Sequence, residues 1–275
     1  MSRSDFFLGI DLGSSSVKTS IFDRKSGKSI DSFTYPDSEM EIISEQDGWA
    51  EQDPNYWWEC ISHTFDHLRE SNDFKSIRAI GISYQMHGLV VVDKKYNPLH
   101  NAIIWCDSRA VETGLKAEAE MNDDIFETKT LNSPGNFTAS KLKWLQDNKQ
   151  DIYDKIHKIM LPGDFIVYKL TNNLTTTPMG LSEGIMWDFQ SGTISEDILD
   201  YYNIKDKLIP EVVDSIGDQG TVSDDIIERF GFSKGLRITY RAGDQPNNAF
   251  SLNVLEPGEI AATAGTSAVI YSVTD

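Results

Sequence analysis

The chain has 275 residues, 39% of them hydrophobic and 11% aromatic, enough apolar material for a packed core and too much for a disordered chain. Its 43 acidic and 25 basic residues give a formal net charge of −18, which argues against a nucleic-acid partner. Two cysteines, Cys60 and Cys106, with no C-x-x-C pair exclude a disulfide framework, and no apolar run approaches bilayer-spanning length; a reduced, cytoplasmic protein without membrane partners is expected.

In chain order, the apolar run Phe6 to Ile10 and the partly alternating Val17 to Phe22 read as strands around the tight turn Asp11-Leu12-Gly13-Ser14-Ser15-Ser16. A third strand over Ser29 to Tyr35 completes an antiparallel meander. A helix follows, with Asp53 as N-cap, Pro54 at its first position and Trp57, Ile61, Phe65 and Leu68 as one apolar stripe. Cys60, His63 and His67 lie close together on it, but a structural zinc site normally takes four ligands, so a packed helix is the preferred reading. Strands over Ala79 to Ser83 and Leu89 to Val92 flank Tyr84-Gln85-Met86-His87-Gly88, and a strand over Ala102 to Trp105 ends at Cys106-Asp107-Ser108-Arg109. Residues 110–160 read as largely helical, broken at Asn132-Ser133-Pro134-Gly135. A strand near Arg237 to Tyr240 leads into Gly243-Asp244-Gln245, and a helix is expected to open after Asn248. The pattern strand, Gly-[Ser/Thr]-Ser, strand occurs twice, at Gly13-Ser14-Ser15 and at Gly265-Thr266-Ser267. That repetition suggests two similar lobes, although so short a pattern also arises by chance.

Several of these turns carry chemistry. Glycine and small hydroxyl residues between strands let a backbone approach phosphate and donate N–H groups to it. Asp11, just before the first such turn, suits magnesium held through oxygen or water; an ordinary hairpin would look similar. Asp244, after a strand and before a helix, is placed either to accept a proton from a hydroxyl attacking phosphorus or to cap the helix. His87 offers a hydrogen bond to a sugar hydroxyl and Met86 a surface for its carbons. Asp107 and Arg109 suit the same task, with a surface salt bridge as the alternative.

Taken together and in this order, these segments resemble the FGGY carbohydrate kinases. The resemblance runs from Gly9-Ile10-Asp11-Leu12-Gly13-Ser14-Ser15-Ser16-Val17-Lys18 through Gly48-Trp49-Ala50-Glu51-Gln52-Asp53-Pro54 and Gln85-Met86-His87-Gly88. It continues through Trp105-Cys106-Asp107-Ser108-Arg109, Leu161-Pro162-Gly163-Asp164 and Gly243-Asp244-Gln245 to Gly265-Thr266-Ser267. The Gln-Met-His-Gly stretch is most similar to the xylulokinases. What the resemblance implies is an α/β fold, an actin-like, ribonuclease-H-like lobe with a mixed sheet flanked by helices. It implies residues 1–255 as the sugar-binding lobe and 256–275 as the first hairpin of a second lobe, so weak ATP binding and no activity are expected of this stretch alone. It implies Asp244 as catalytic base and, with Asp11, as magnesium neighbour. Gln85, Met86, His87, Trp105, Asp107, Arg109 and Gln245 would face the sugar. Gly13, Ser14, Ser15, Lys18, Gly265, Thr266 and Ser267 would face the phosphates of ATP. The implied partners are a sugar and ATP with Mg2+, with a homodimer contact through the hairpin Glu259 to Val273 as a further option. Two positions depart from the pattern: Gln245-Pro246-Asn247-Asn248 stands where an Asn and small residues are typical, and Ser16 where Gly is frequent.

Overall fold

A computed structural model describes residues 5–122, 124–264 and 268–274. Its centre is a five-stranded mixed sheet. Three strands form the expected meander, β1 (Phe6–Leu12), β2 (Val17–Asp23) and β3 (Ser29–Tyr35), paired antiparallel in turn. Helix α1 (Pro54–Leu68) then crosses to β4 (Ile77–Tyr84), which lies parallel to β1 on its other side. After a long excursion β5 (Arg237–Gly243) adds parallel to β4, giving the spatial order β5-β4-β1-β2-β3.

Alternation in the strands explains this sheet. Leu8, Ile10 and Leu12 of β1 point to one face and are at most 2% exposed, as are Ile80, Ile82 and Tyr84 of β4. Helix α1 covers β2 and β3, its stripe of Trp57, Ile61, Phe65 and Leu68 fully buried as the spacing requires. Asp53 caps it by accepting from the Asn55 amide at 2.8 Å. His63 and His67 do not gather ligands: they pack on Tyr35 and Phe33, with ring centroids 3.9 and 3.7 Å apart. Among the described residues no cluster of three or more metal-type side chains forms.

The excursion between β4 and β5 builds a second core. The helical reading of 110–160 holds for Val111–Glu120 and for α2 (Thr138–Asn148), but Lys158–Met160 is a strand, paired antiparallel with Val90–Val92. Its short apolar run is satisfied by this distant pairing, which local periodicity does not register. The Ala102 strand is shorter than expected, ending at Ile103. Helix α3 (Pro162–Thr171) returns to the sheet with Gly163 against Tyr84, and α4 (Pro178–Glu183) packs near the end of β5. Helix α5 opens at Asp244 and runs to Ser251, earlier than expected, because Pro246 falls in the first turn, where its missing N–H costs nothing. Strands β6 (Ile260–Ala264) and β7 (Ala268–Ser272) form a separate hairpin. No helix among the described residues is long and apolar enough to cross a membrane.

The approach of α3 to the sheet depends on the missing side chain of Gly163. A Cβ there would lie 2.3 Å from Cδ1 of the fully buried Tyr84. Gly163→Ala is therefore expected to destabilise the chain by about 1–3 kcal/mol in urea unfolding. An unchanged midpoint would mean that the helix can lift off the sheet without cost.

Candidate active site

Register decides where the site is. Leu12 of β1 lies opposite Tyr84 of β4, and Tyr84 opposite Gly243 of β5, so the three parallel strands end level. A bulge between Ile238 and Tyr240 brings β5 into that alignment. The three chain segments that follow, Gly13 to Ser16, Gln85 to Gly88 and Asp244 to Gln245, consequently meet at one edge, where open sheets of parallel strands place ligands. They line a cleft of about 620 Å³ together with Asp11, Lys18 and Trp105.

The first turn is built for an anion. Gly13 N–H closes it on Ser16 O at 3.0 Å. The carbonyls of Leu12, Ser14 and Ser15 accept from Gln85 N, Gln52 Nε2 and Met40 N, each at 2.7 Å. With the carbonyls occupied, the Ser14 and Ser15 amides donate to no acceptor among the described residues. Their hydroxyls and Lys18, which lies across the ladder from Asp11, complete a donor-rich rim. Trp105, 45% exposed, reaches Ser14 Oγ with its indole N–H at 3.4 Å.

Gln52 anchors this turn, a role that sequence reasoning did not assign. Its amide donates to Ser14 O, while its Oε1 accepts from Trp57 Nε1 and from Gln85 Nε2, both at 3.0 Å. Gln85 is thus buried in a scaffold and turns its side chain away from open solvent. Asp107 and Arg109 do not line the cleft. Their side chains are 0 and 1% exposed, and Arg109 grips Asp107 through Nε and Nη2 and Glu51 through Nη2 at 2.8 Å. The guanidinium stacks on Trp49 at 3.8 Å, and Asp107 accepts from the Ala50 amide at 2.6 Å. This buried clamp ties segment 104–109 to segment 48–52 and so holds Gln52 in place. The pair lies outside the cleft lining, and it is a buried ion pair, not the surface bridge offered as the alternative.

His87 is held on every side. Its φ of 61° is left-handed, its carbonyl accepts from the buried Lys141 at 2.9 Å, and its ring sits edge-on to Phe137 at 4.4 Å. Nδ1 lies 3.0 Å from the Glu183 carbonyl, which can only accept, so the proton sits on Nδ1 and Nε2 is left as an acceptor. Burial lowers its pKa to about 4, so the ring is neutral at pH 7. Lys141 is likewise pulled down, to about 8, by burial. Met86 and His87 also line a second compartment of about 420 Å³, with Asn132, Ser182, Glu183 and Pro246. Gly243 lets Met86 in: a Cβ there would lie 2.3 Å from Met86 Cγ and 3.0 Å from Glu183 Oε2.

Asp244 is the first residue of α5, whose N-cap is Gly243, so the capping role does not fall to it. Burial raises its pKa and the Asp11 carboxylate adds to this, against the Gln245 amide. Asp11 and Asp244 fit magnesium in the manner that ion usually takes, one or two carboxylates with water and substrate phosphate supplying the rest. Gly265, Thr266 and Ser267 lie outside the described residues. Behind Asp244 stand residues that the sequence did not flag. Arg241 pairs with Asp164 at 2.9 Å, both buried, and Glu183 has two buried oxygens without a hydrogen-bond partner. Burial pushes the Glu183 carboxyl well above the usual range, and the charges of Asp164 and Asp244 reinforce it.

With this geometry in place, comparison with known proteins is decisive. The sequence pattern of the N-terminal domain of the FGGY family of carbohydrate kinases matches residues 6–251. The chain belongs to that family. It is 29% identical over 270 residues to a xylulose kinase of Staphylococcus xylosus, covering 98% of this chain and 55% of that protein. A crystal structure of a xyloylose kinase from Brucella ovis superposes with a TM-score of 0.89 at 26% identity, over 96% of this chain and 54% of the other. A Plasmodium falciparum glycerol kinase with ADP, 23% identical over 97% of this chain and 54% of its own, shares the fold with a TM-score of 0.86. The FGGY chain thus has the expected actin-like α/β fold and spans about half the length of the relatives it matches.

The state of Glu183 is open to a direct check. A carboxyl that keeps its proton on folding holds more protons than the unfolded chain once the pH passes its ordinary value near 4.5, so its contribution to stability falls as pH rises. Glu183→Gln mimics the protonated form and is expected to gain on the wild type between pH 5 and 7.5 by about 1 kcal/mol or more. A stability difference that does not change with pH would show that Glu183 is ionised in the fold.

Proposed function

We propose that this chain forms the sugar-binding, catalytic-base lobe of an ATP-dependent ketose kinase, with D-xylulose phosphorylated at O5 as the preferred reaction. Residues 1–255 make up that lobe, and 256–275 the first hairpin of its facing lobe. The observation that carries the reading is the level ending of three parallel strands, which gathers a phosphate-type turn, a sugar-type turn and a half-buried aspartate around one cleft.

In this mechanism the sugar rests against Met86, with His87 Nε2 accepting one of its hydroxyls. Gln245 and Trp105 border the same space. The reacting hydroxyl points to Asp244. Its oxygen forms a bond to the γ-phosphorus of ATP as the bond to the ADP oxygen breaks, and its proton passes to Asp244. The raised pKa of Asp244 makes it a better base than an exposed carboxylate. The free amides of Ser14 and Ser15, with Lys18, hold the phosphates in line. Magnesium near Asp11 and Asp244 would supply positive charge to the phosphate oxygens. A neutral sugar is favoured over a sugar acid because Lys18, on the phosphate side, is the one cation lining either compartment among the described residues.

The reading is tested by calorimetric titration of the chain with D-xylulose, D-ribulose, sedoheptulose and gluconate, followed by assay of phosphoryl transfer with ATP and Mg2+ in the enzyme that contains this lobe. Xylulose is expected to bind most tightly and gluconate not at all. Asp244→Asn should leave sugar affinity within about threefold while turnover falls by roughly 10²–10⁴. Wild-type turnover in that variant would remove Asp244 from the chemistry, and preferential binding of gluconate would replace the ketose reading.

A further inference from the structure

Away from the cleft, a groove of about 950 Å³ is lined by Lys94, Lys95, Lys155, Lys158, Lys207 and His157. Five of the chain's 25 basic residues therefore face one space on a protein whose net charge is −18. With Asp93 and Asp154 in the same lining, the groove carries an excess of positive charge that attracts anions.

The lysines are largely unpaired. Lys158 donates to the Ile209 carbonyl at 2.7 Å. Lys94, Lys95, Lys155 and Lys207 form no salt bridge or side-chain hydrogen bond among the described residues. The two acids of the groove, Asp93 and Asp154, offset part of this charge and are hydrogen-bonded within their own turns. Asp93 Oδ1 accepts from the amides of Lys95 at 2.7 Å and Asn97 at 3.0 Å, and Asp154 accepts from the Gln150 side chain at 2.7 Å.

The lysines are also presented by fixed backbone. The Asp93 turn is closed by Asp93 N–H on Asn97 O at 3.0 Å, with Tyr96 left-handed at φ 65°. Tyr96 packs edge-on to Tyr168 and lies 5.8 Å from the His157 ring, which joins that turn to the segment carrying Lys155 and Lys158. Lys207 comes from a third segment, the short helical turn Asp206–Leu208. At physiological salt the acidic remainder of the surface is screened beyond about 8 Å, whereas the groove's own ammonium groups are not. No residue is shared with the cleft, so the groove is a separate place for an anion.

We propose that this groove is a binding site for a small anion carrying two or more phosphate groups, held by Lys94, Lys95, Lys155 and Lys207. Several ammonium groups on three segments match several separated oxyanions better than one. The strand Val90–Val92 leads directly from the Met86–His87 turn to Asp93, so the groove sits at the far end of a strand from the sugar-facing residues.

The test is calorimetric titration of the whole chain with tripolyphosphate, whose phosphates are adjacent, and with fructose 1,6-bisphosphate, whose phosphates are spaced. Three proteins are compared: wild type, the triple variant Lys95→Ala, Lys155→Ala, Lys207→Ala, and Lys18→Ala as a control for the cleft. One probe or both should bind one to one, and the triple variant should weaken that binding about tenfold or more, whereas Lys18→Ala changes it less than about twofold. Inorganic phosphate should bind at least about tenfold more weakly than the better probe. Absence of saturable binding by both probes, binding unaffected by the triple variant, or binding lost only in Lys18→Ala would each overturn the proposal. Tighter binding of a short RNA than of either probe would overturn it in favour of a nucleic-acid surface.

Discussion

Everything at the cleft depends on three parallel strands ending at the same level. If β5 were displaced by one residue relative to β4, Asp244 would rotate to the opposite face of the sheet edge, because side chains alternate along a strand. The bulge at Ile238 to Tyr240 and the close fit of Gly243 against Met86 fix that register. On the other side, Gln52 fixes the height of the first turn by holding Ser14, Trp57 and Gln85 through one amide. Gln52 is itself placed by the Arg109 clamp, where cation–π stacking and a bidentate ion pair act within a nearly solvent-free space. Arg109, expected from sequence at the sugar, is part of the packing that braces the first turn of the cleft.

The electrostatic arrangement is uneven in a way that suits phosphoryl transfer. Carboxyl groups concentrate behind the reacting edge, at Asp11, Asp164, Glu183 and Asp244, and this repulsion is met differently at each. Asp164 has Arg241 at 2.9 Å; Glu183 forms no ion pair among the described residues, and burial raises its pKa. The Glu183 and Asp244 carboxyls are both held above their ordinary range, chiefly by burial. His87, kept neutral by burial, adds an acceptor without adding a positive charge that would compete for Asp244.

The turns that make the cleft were legible in the sequence because their chemistry is local. Gly13-Ser14-Ser15, Met86-His87-Gly88 and Gly243-Asp244 each follow an apolar run, and the structure brings the described members of all three together. The stripe of α1 was equally legible, since a period near 3.6 survives without tertiary information. What escaped was decided by partners far away in the chain. Lys158–Met160 becomes a strand only because Val90–Val92 lies beside it. Asp107 and Arg109 are scaffold only because Trp49, Ala50 and Glu51 close over them. Glu183 looks like an ordinary helix-end carboxylate until the packing around Gly243 buries it. Helix α5 begins at Asp244, ahead of the expected start after Asn248, with Pro246 in its first turn, where a proline is permitted.

The two halves of the cleft also differ in origin, and this bears on specificity. The phosphate side is made by the hairpin between β1 and β2, part of the sheet that the whole fold requires. The sugar side is made where the excursion between β4 and β5 packs back on His87, through Phe137, Lys141 and Glu183. Changes in the second core reach the His87 side of the cleft directly and the first turn only by way of the Arg109 clamp, where Trp144 packs on Trp49 and Arg109.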